Sequence, residues 1–249
     1  MPSLYEKYRP QSLSEIVGHA SAVDKIKSVL SLGWGGRSWF ISGFSGGGKT
    51  TLARIIAATG ADDFFINEVD YARDLTPPRI RDMFNSLHMS AWGKGGRAII
   101  INEAHGLRTD AIECLLTSLE SIPGHTCVVF TTTKDGQARL FDDSIDAAPL
   151  LSRCIPIELS VDEVQREFPL AVQRIARAEK LDGRPLSAYR ELADRHAFNM
   201  RAMLQAVETG LMKSSNKERI LKPKPKSDGP SLSAAQKATL TRWGVAVPV

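Results

Sequence analysis

The residues Gly43-Phe44-Ser45-Gly46-Gly47-Gly48-Lys49-Thr50 meet every fixed position of the phosphate-loop pattern GxxxxGK[ST], and they constrain the fold more than any other stretch. Such a loop needs a buried strand before it and a helix after it. Ser38-Trp39-Phe40-Ile41 provides a short apolar run, and Thr51-Leu52-Ala53-Arg54-Ile55-Ile56-Ala57 continues with helix formers at apolar spacing. A glycine-rich turn with a chance lysine would lack both flanks. Glycines let backbone N–H groups turn inward with no Cβ in the way, and the following helix adds partial positive charge at its N-terminus. Gly43, Ser45, Gly46, Gly47 and Gly48 therefore read as a cradle for phosphate oxygens. Lys49 is placed to reach the β- and γ-phosphates of a nucleotide, Thr50 offers its hydroxyl to Mg²⁺, and Thr51 joins them in the same turn.

The chain has 249 residues, 43% hydrophobic and 24% charged, the make-up of a globular protein of one or two domains. No apolar run approaches the ~18 residues of a membrane span, and the N-terminus lacks the hydrophobic segment of a signal peptide. A cytoplasmic location with no membrane partner is expected. Cys114, Cys127 and Cys154 stand too far apart for a zinc or redox motif and read as reduced and mostly buried. The net charge of +4 is unevenly placed, with 24 basic against 26 acidic residues in 1–212 and 8 against 2 in 213–249. The basicity lies in the tail.

Taken in order, residues 3–18 form a polar, aromatic arm that Pro10 keeps from being one helix, with Ser12-Leu13-Ser14-Glu15 matching a capping box. A helix is expected over 23–30. After the loop helix, residues 64–69 read as a buried strand between Asp62-Asp63 and Asp70, and Pro77-Pro78 open a helix to about 89. Residues 98–101 are four apolar positions ending in Asn102-Glu103, a strand whose C-terminal tip carries function. Glu103 is suited to orient and deprotonate a water. Asn102 can order a Mg²⁺-bound water through its carbonyl oxygen but lacks the negative charge that helps hold a hard dication. Two outcomes stay open: hydrolysis through Glu103, or nucleotide binding with little turnover. His105 is assigned no metal. A helix over 109–121, a strand over 127–133 with hydroxyls at its tip, and a closing strand over 155–159 follow. Beyond 161 the pattern is helical only, with helices expected over 161–180, 186–196 and 199–212. Residues 222–230 read as an exposed linker, and 231–243 as a short helix anchored by Leu240 and Trp243; the tail serves either phosphate contact or solubility.

The strings YEKYRP, GFSGGGKT and LLSRC, in that order, make residues 3–212 resemble the AAA+ clamp-loader ATPases of the replication factor C small-subunit and bacterial gamma-subunit type. The resemblance implies that ATP is the nucleotide, with Mg²⁺, and that Tyr8, Arg9, Pro10 and Val17 touch its base. It further implies that Asn67 parks the catalytic glutamate, that Thr132 or Thr133 is a first sensor, and that Arg201, in Asn199-Met200-Arg201-Ala202-Met203-Leu204, is a second. Asn67 reads equally well as a residue closing a strand, and a threonine-rich strand end is common without function. By the same resemblance Arg153, in Ser152-Arg153-Cys154, is expected to enter a neighbouring subunit's site, where a planar, permanently charged fork matches phosphate oxygens; read alone it would be a surface arginine in a salt bridge. Other AAA+ clamp-loader subunits, a sliding clamp and primer–template DNA are the implied partners.

Asn102 departs from the family pattern, and the loop over 134–149 looks several residues longer than usual, with an acidic FDDSID segment. Such subunits also carry a helical collar, whereas 37 residues follow position 212 here, so assembly is expected through lateral ATPase contacts or another subunit's collar. The expected fold is an α/β P-loop core of parallel strands with helices on both faces over 1–160, a small all-helical lid over 161–212, and a basic tail over 213–249. Its expected work is ATP-driven clamp loading; the alternatives are a scaffold subunit with weak hydrolysis, or another ring-forming AAA+ motor such as a branch-migration helicase relative, against which SRC argues.

Overall fold

The computed structural model describes residues 2–133 and 148–213, so the expectations for the acidic loop and for a helix over 231–243 lie outside the described residues. Five strands form one parallel sheet: β1 (Arg37–Gly43), β2 (Ala61–Val69), β3 (Gly96–Ile101), β4 (Thr126–Thr133) and β5 (Ile155–Leu159), in the order β2-β3-β4-β1-β5. Parallel neighbours need crossovers, and those described are helical. The chain leaves β1 through α3 (Lys49–Gly60) to the far edge, returns through α4 (Pro77–Leu87) and α5 (Thr109–Leu119) to β4, and reaches β5 past the short α6 (Ala148–Ser152). Two earlier helices, α1 (Leu4–Lys7) and α2 (Ala20–Ser31), precede β1.

Alternation along the strands divides the core. Phe40, Ile99, Ile101, Val128 and Phe130 pack with Ile80, Phe84, Ile112 and Leu115 of α4 and α5. Their sequence neighbours Trp39, Ile41, Ala98, Ile100, Cys127 and Val129 pack with Ile26 of α2 and Leu52 and Ile56 of α3. Successive side chains point to opposite faces, so central strands covered on both sides read as unbroken apolar runs. Cys127 and Cys154 are buried, which pushes both thiols up to about 12, and Cys114 is half-buried; all three are free.

The strand expected to be buried at 64–69 is instead an exposed edge. Among the described residues it has only β3 as partner, its register shifts between Ala61 and Ile66, and Phe64 is 91% exposed. That irregularity lets Asp62 and Asp63 lie inside the strand rather than stop it, with the Asp62 carboxylate accepting from Lys94 N at 2.9 Å. The capping box is also corrected. Residues Leu13–Glu15 form a 3₁₀ turn in which Ser12 Oγ donates to Glu15 Oε1 and Glu15 Oε2 accepts from Gln11 N, so neither side chain caps an α-helix.

Three helices follow β5: α7 (Glu167–Ala178), α8 (Leu186–Arg195) and α9 (Met200–Glu208). Each is shorter than its expected span. α7 starts six residues late because 161–166 form turns that bury Val164, and Gly210, at φ +80, follows the end of α9. Their shared core of Val172, Tyr189, Leu192, Met203, Leu204 and Val207 includes Leu4 of the arm. Lys7 Nζ (2.6 Å) and Tyr8 Oη (2.5 Å) both donate to Glu179 Oε1. The arm is thus tied to the helical segment. Through those two hydrogen bonds the Glu179 carboxyl is held below its ordinary range, and the Lys7 and Tyr8 groups above theirs.

Candidate functional site

The loop after β1 lies at the C-terminal end of the sheet, where open parallel sheets bind ligands. Gly46 (φ +70) and Gly48 (φ +99) occupy the left-handed region that a Cβ disfavours. At Gly46 a Cβ would also stand 2.0 Å from Asn199 Oδ1. That approach docks the loop on α9, since Met200 N donates to Gly46 O (3.3 Å) while Asn199 caps the helix by accepting from Ala202 N (3.1 Å). Ser45 is exposed, and Gly43 closes β1.

Lys49 is 8% exposed, and its ammonium donates to Gly43 O (3.2 Å) and Phe44 O (2.8 Å). Burial lowers its pKa first of all, the Glu103 charge raises it, and the Arg201 charge lowers it. Those two charges act on one buried ammonium. They come from the turn after β3 and from α9. Arg201 is exposed, its Nη2 donating to Tyr5 Oη (3.2 Å) and its guanidinium lying 4.6 Å from the Tyr5 ring centre; Arg9 sits 4.8 Å from that ring.

Beside the loop opens a cleft lined by Tyr8, Arg9, Pro10 and Val17 of the arm, by Gly46, Gly47, Gly48 and Thr51, and by Phe168 and Met200 of the helical segment. The expected base-contact residues and the loop thus line one cavity. Arg9 is 12% exposed at its side chain; Nη2 donates to Glu6 Oε1 (2.6 Å), while Nε and Nη1 are buried with no hydrogen-bond partner among the described residues. A mostly apolar cleft with such donors in its wall suits a heteroaromatic ring with acceptor nitrogens. His19, also lining it, donates from Nε2 to Gly47 O (2.9 Å), because a carbonyl only accepts; burial lowers its pKa and keeps the ring neutral.

The tip of β3 is the second cluster. Asn102 is 6% exposed; its Oδ1 accepts from Thr131 Oγ1 (2.8 Å) and Thr50 Oγ1 (3.2 Å), and its Nδ2 donates to Glu68 Oε1 (2.8 Å). Glu103 adopts a left-handed backbone (φ 53, ψ 48), and its Oε2 lies 3.3 Å from His105 Nδ1, which also lies 3.3 Å from Thr132 Oγ1. Thr133 pairs in register with Gly43, beside the loop. The Thr50 hydroxyl and the Asn102 amide oxygen, 3.2 Å apart, are oxygen donors of the kind a hard dication takes, and Mg²⁺ keeps several waters besides.

One expectation needs correction. Asn67 does not close its strand, which runs on to Val69; it is exposed, opposite Ile99, and lies on the other face from Glu68. The strand neighbours that reach Asn102 are Glu68 and Thr131, neither of which the sequence motifs single out.

Arg153 lies apart from all of this. It precedes β5, at the opposite end of the sheet from the loop, with Nη2 donating to Glu120 Oε1 (2.6 Å) and Nη1 to Pro149 O (3.0 Å). Its side chain is 34% exposed and Glu120's 62%. Arg153 is neither in the chain's own site nor buried in its fold.

Residues 39–160 match the model of the AAA family, the ATPase family associated with various cellular activities. The DNA polymerase III subunit gamma of Buchnera aphidicola (subspecies from Acyrthosiphon pisum) is 27% identical over 189 residues, covering 66% of this chain and 50% of the relative. The replication factor C small subunit of Natronomonas pharaonis is 31% identical over 159 residues, covering 62% and 46%. The chain thus spans about half the length of these curated relatives. Among solved structures, Thermotoga maritima RuvB, a Holliday junction branch migration motor, superposes with a TM-score of 0.60 at 23% identity, covering 81% of this chain and 64% of that one. That likeness shows the fold alone.

Proposed function

We propose that this chain, clamp-loader-like and AAA+ by its family match and its relatives, binds and hydrolyses ATP as one subunit of a complex that loads a sliding clamp onto primer–template DNA. The observation that carries the reading is the cleft whose wall is the phosphate loop, with the Lys49 ammonium seated on the loop carbonyls and Thr50 hydrogen-bonded to Asn102 at the tip of β3. In this reading the 1–160 core and the 161–212 lid close on the nucleotide. Tyr8, Arg9, Pro10 and Val17 hold the base, the loop amides and Lys49 hold the phosphates, and Arg201 follows the lid.

Mg²⁺, held by Thr50 and Asn102 through oxygen, would supply charge neutralisation at the β- and γ-phosphates. Glu103 orients and takes a proton from the attacking water, with His105 fixing its carboxylate. Arg153 serves the site of an adjoining AAA+ subunit, where a guanidinium supplied in trans is worth ~10³–10⁵ in rate. A cytoplasmic setting goes with this reading; among the described residues no helix is long and apolar enough to cross a membrane.

A second reading, a nucleotide-binding scaffold with weak hydrolysis, is favoured by Asn102, whose side chain carries no charge and is committed to three neighbours. Turnover measured with and without primed DNA and clamp separates the two. The first reading expects stimulated turnover that Glu103→Gln abolishes. Tight binding with no turnover under any condition would leave only the scaffold. Turnover stimulated by four-way junctions but not by primed DNA would favour a branch-migration relative.

A further inference from the structure

The strand tip beside the phosphate loop carries an amide, and the orientation of an amide has to be set by its partners. Here those partners form a row across three adjacent strands. Ile100 and Asn102 share the face of β3 that α3 covers, Glu68 is in register with Ile100, and Val129 and Thr131 occupy the same face of β4. The backbone fixes the row: Asn102 N donates to Val69 O (2.8 Å), and Ala72 N donates to Asn102 O (3.1 Å). Arg54 of α3 closes it by donating from Nε to Glu68 Oε2 (2.7 Å), with Glu68 19% exposed at its side chain.

The two threonines cannot decide which way the amide faces, since a hydroxyl donates or accepts equally well. An ionised carboxylate only accepts. Glu68 Oε1 at 2.8 Å therefore requires the Asn102 NH₂ on its side, which turns Oδ1 toward Thr50 and Thr131.

We infer that Glu68 is a positioning residue for the metal side of the loop: it fixes the Asn102 amide so that Oδ1 faces Thr50, and it sets beside the strand tip the negative charge that Asn102 lacks. This rests on the reading of Thr50 and Asn102 as the Mg²⁺ side of an ATP site. Arg54 holds the second carboxylate oxygen, so the charge stays pinned at the amide rather than rotating to solvent. With an aspartate at position 102 the same arrangement would set two acceptors against each other. The pair at 68 and 102 is thus complementary as it stands, and its complement is inverted by exchanging which member is the amide.

The test is the gain in affinity for a fluorescent ATP analogue when Mg²⁺ replaces EDTA, measured on the full chain and on Glu68→Ala, Glu68→Gln, Asn102→Asp and the double variant Asn102→Asp/Glu68→Gln, each checked for folding by its melting temperature. Losses of outer partners of metal ligands commonly run from ten- to a hundredfold. Glu68→Ala is expected to reduce the Mg²⁺-dependent gain by about tenfold or more, with affinity in EDTA unchanged. Glu68→Gln, whose Oε1 still accepts from Asn102 Nδ2, should lose less. On the Asn102→Asp background Glu68→Gln should instead raise the gain, because its Nε2 then donates to the new carboxylate.

A folded Glu68→Ala protein with the wild-type gain, or a Glu68→Gln effect of the same sign on both backgrounds, would overturn the inference while leaving the ATP site standing. Should Glu68→Ala fail to fold, the Glu68→Gln comparison on the two backgrounds decides alone. Wild-type protein that binds the analogue equally in Mg²⁺ and EDTA would overturn the metal side and the inference together. Absence of any binding would overturn the ATP site itself.

Discussion

The two ends of the sheet carry charge in opposite ways. At the C-terminal end Lys49 is buried on loop carbonyls, Asn102 is enclosed by Thr50, Thr131 and Glu68, and Glu103 leans on His105, so polar groups converge inward. At the N-terminal end Arg153 faces outward, held by one exposed carboxylate and one carbonyl. Gly43 is in register with Leu159, and a strand rises about 3.3 Å per residue, which puts Arg153 roughly 20 Å below the loop. In the proposed reading the inward charges serve a nucleotide of their own chain, whereas the guanidinium at the far end, tied by an exposed pair worth at most ~1 kcal/mol, can leave it for another molecule.

The largest effect that would sharpen this contrast is expected from Arg153→Ala. Turnover in the assembled state should fall by about a thousandfold, near the lower end of what such a group supplies in trans, while the isolated chain keeps its nucleotide affinity. A loss of affinity in the isolated chain would break the contrast, because it would make both ends serve one site. Lys49→Ala should do the converse, weakening nucleotide binding by isothermal titration on the order of a hundredfold, as expected for losing hydrogen bonds from a charged group. It should leave self-association unchanged.

The smallest effect is the pH response of the inward end. Burial lowers the His19 pKa below its ordinary value, so on acidification the unfolded chain takes up that proton first. Stability contributed by neutral His19 is present above about 6.5 and is lost as pH falls from there toward the lowered folded value. Melting temperatures at pH 7.5 and 5.5 should therefore differ by more in the wild type than in His19→Gln, whose amide can still donate to Gly47 O. An equal shift in both would mean that His19 does not titrate with the fold.

The site was legible where chemistry is local in the chain. GFSGGGKT declares its own turn, and Pro77 and the apolar runs place α4, β1 and β3 to within a few residues; the bounds of β5 agree with the expectation. What the sequence hid depends on contacts between strands. Phe64-Phe65-Ile66 looks like a buried strand because nothing in those letters says that β2 is an edge with a register shift. Asn67 and Glu68 are adjacent in the chain but point to opposite faces, so choosing the partner of Asn102 required the pairing Glu68↔Ile100, which only the folded sheet supplies. Thr131 is hidden for the same reason: three threonines end the strand alike in sequence, and only the folded sheet sets Thr131 against Asn102.

Mixing two inactive variants addresses the division of labour between the ends most directly. Glu103→Gln disables the inward site but leaves its Arg153 available, and Arg153→Ala does the reverse, so the account predicts that an equimolar mixture hydrolyses ATP well above either variant alone, rising with total protein concentration. A mixture that stays at the average of the two variants, at concentrations where wild-type turnover is cooperative, would contradict it.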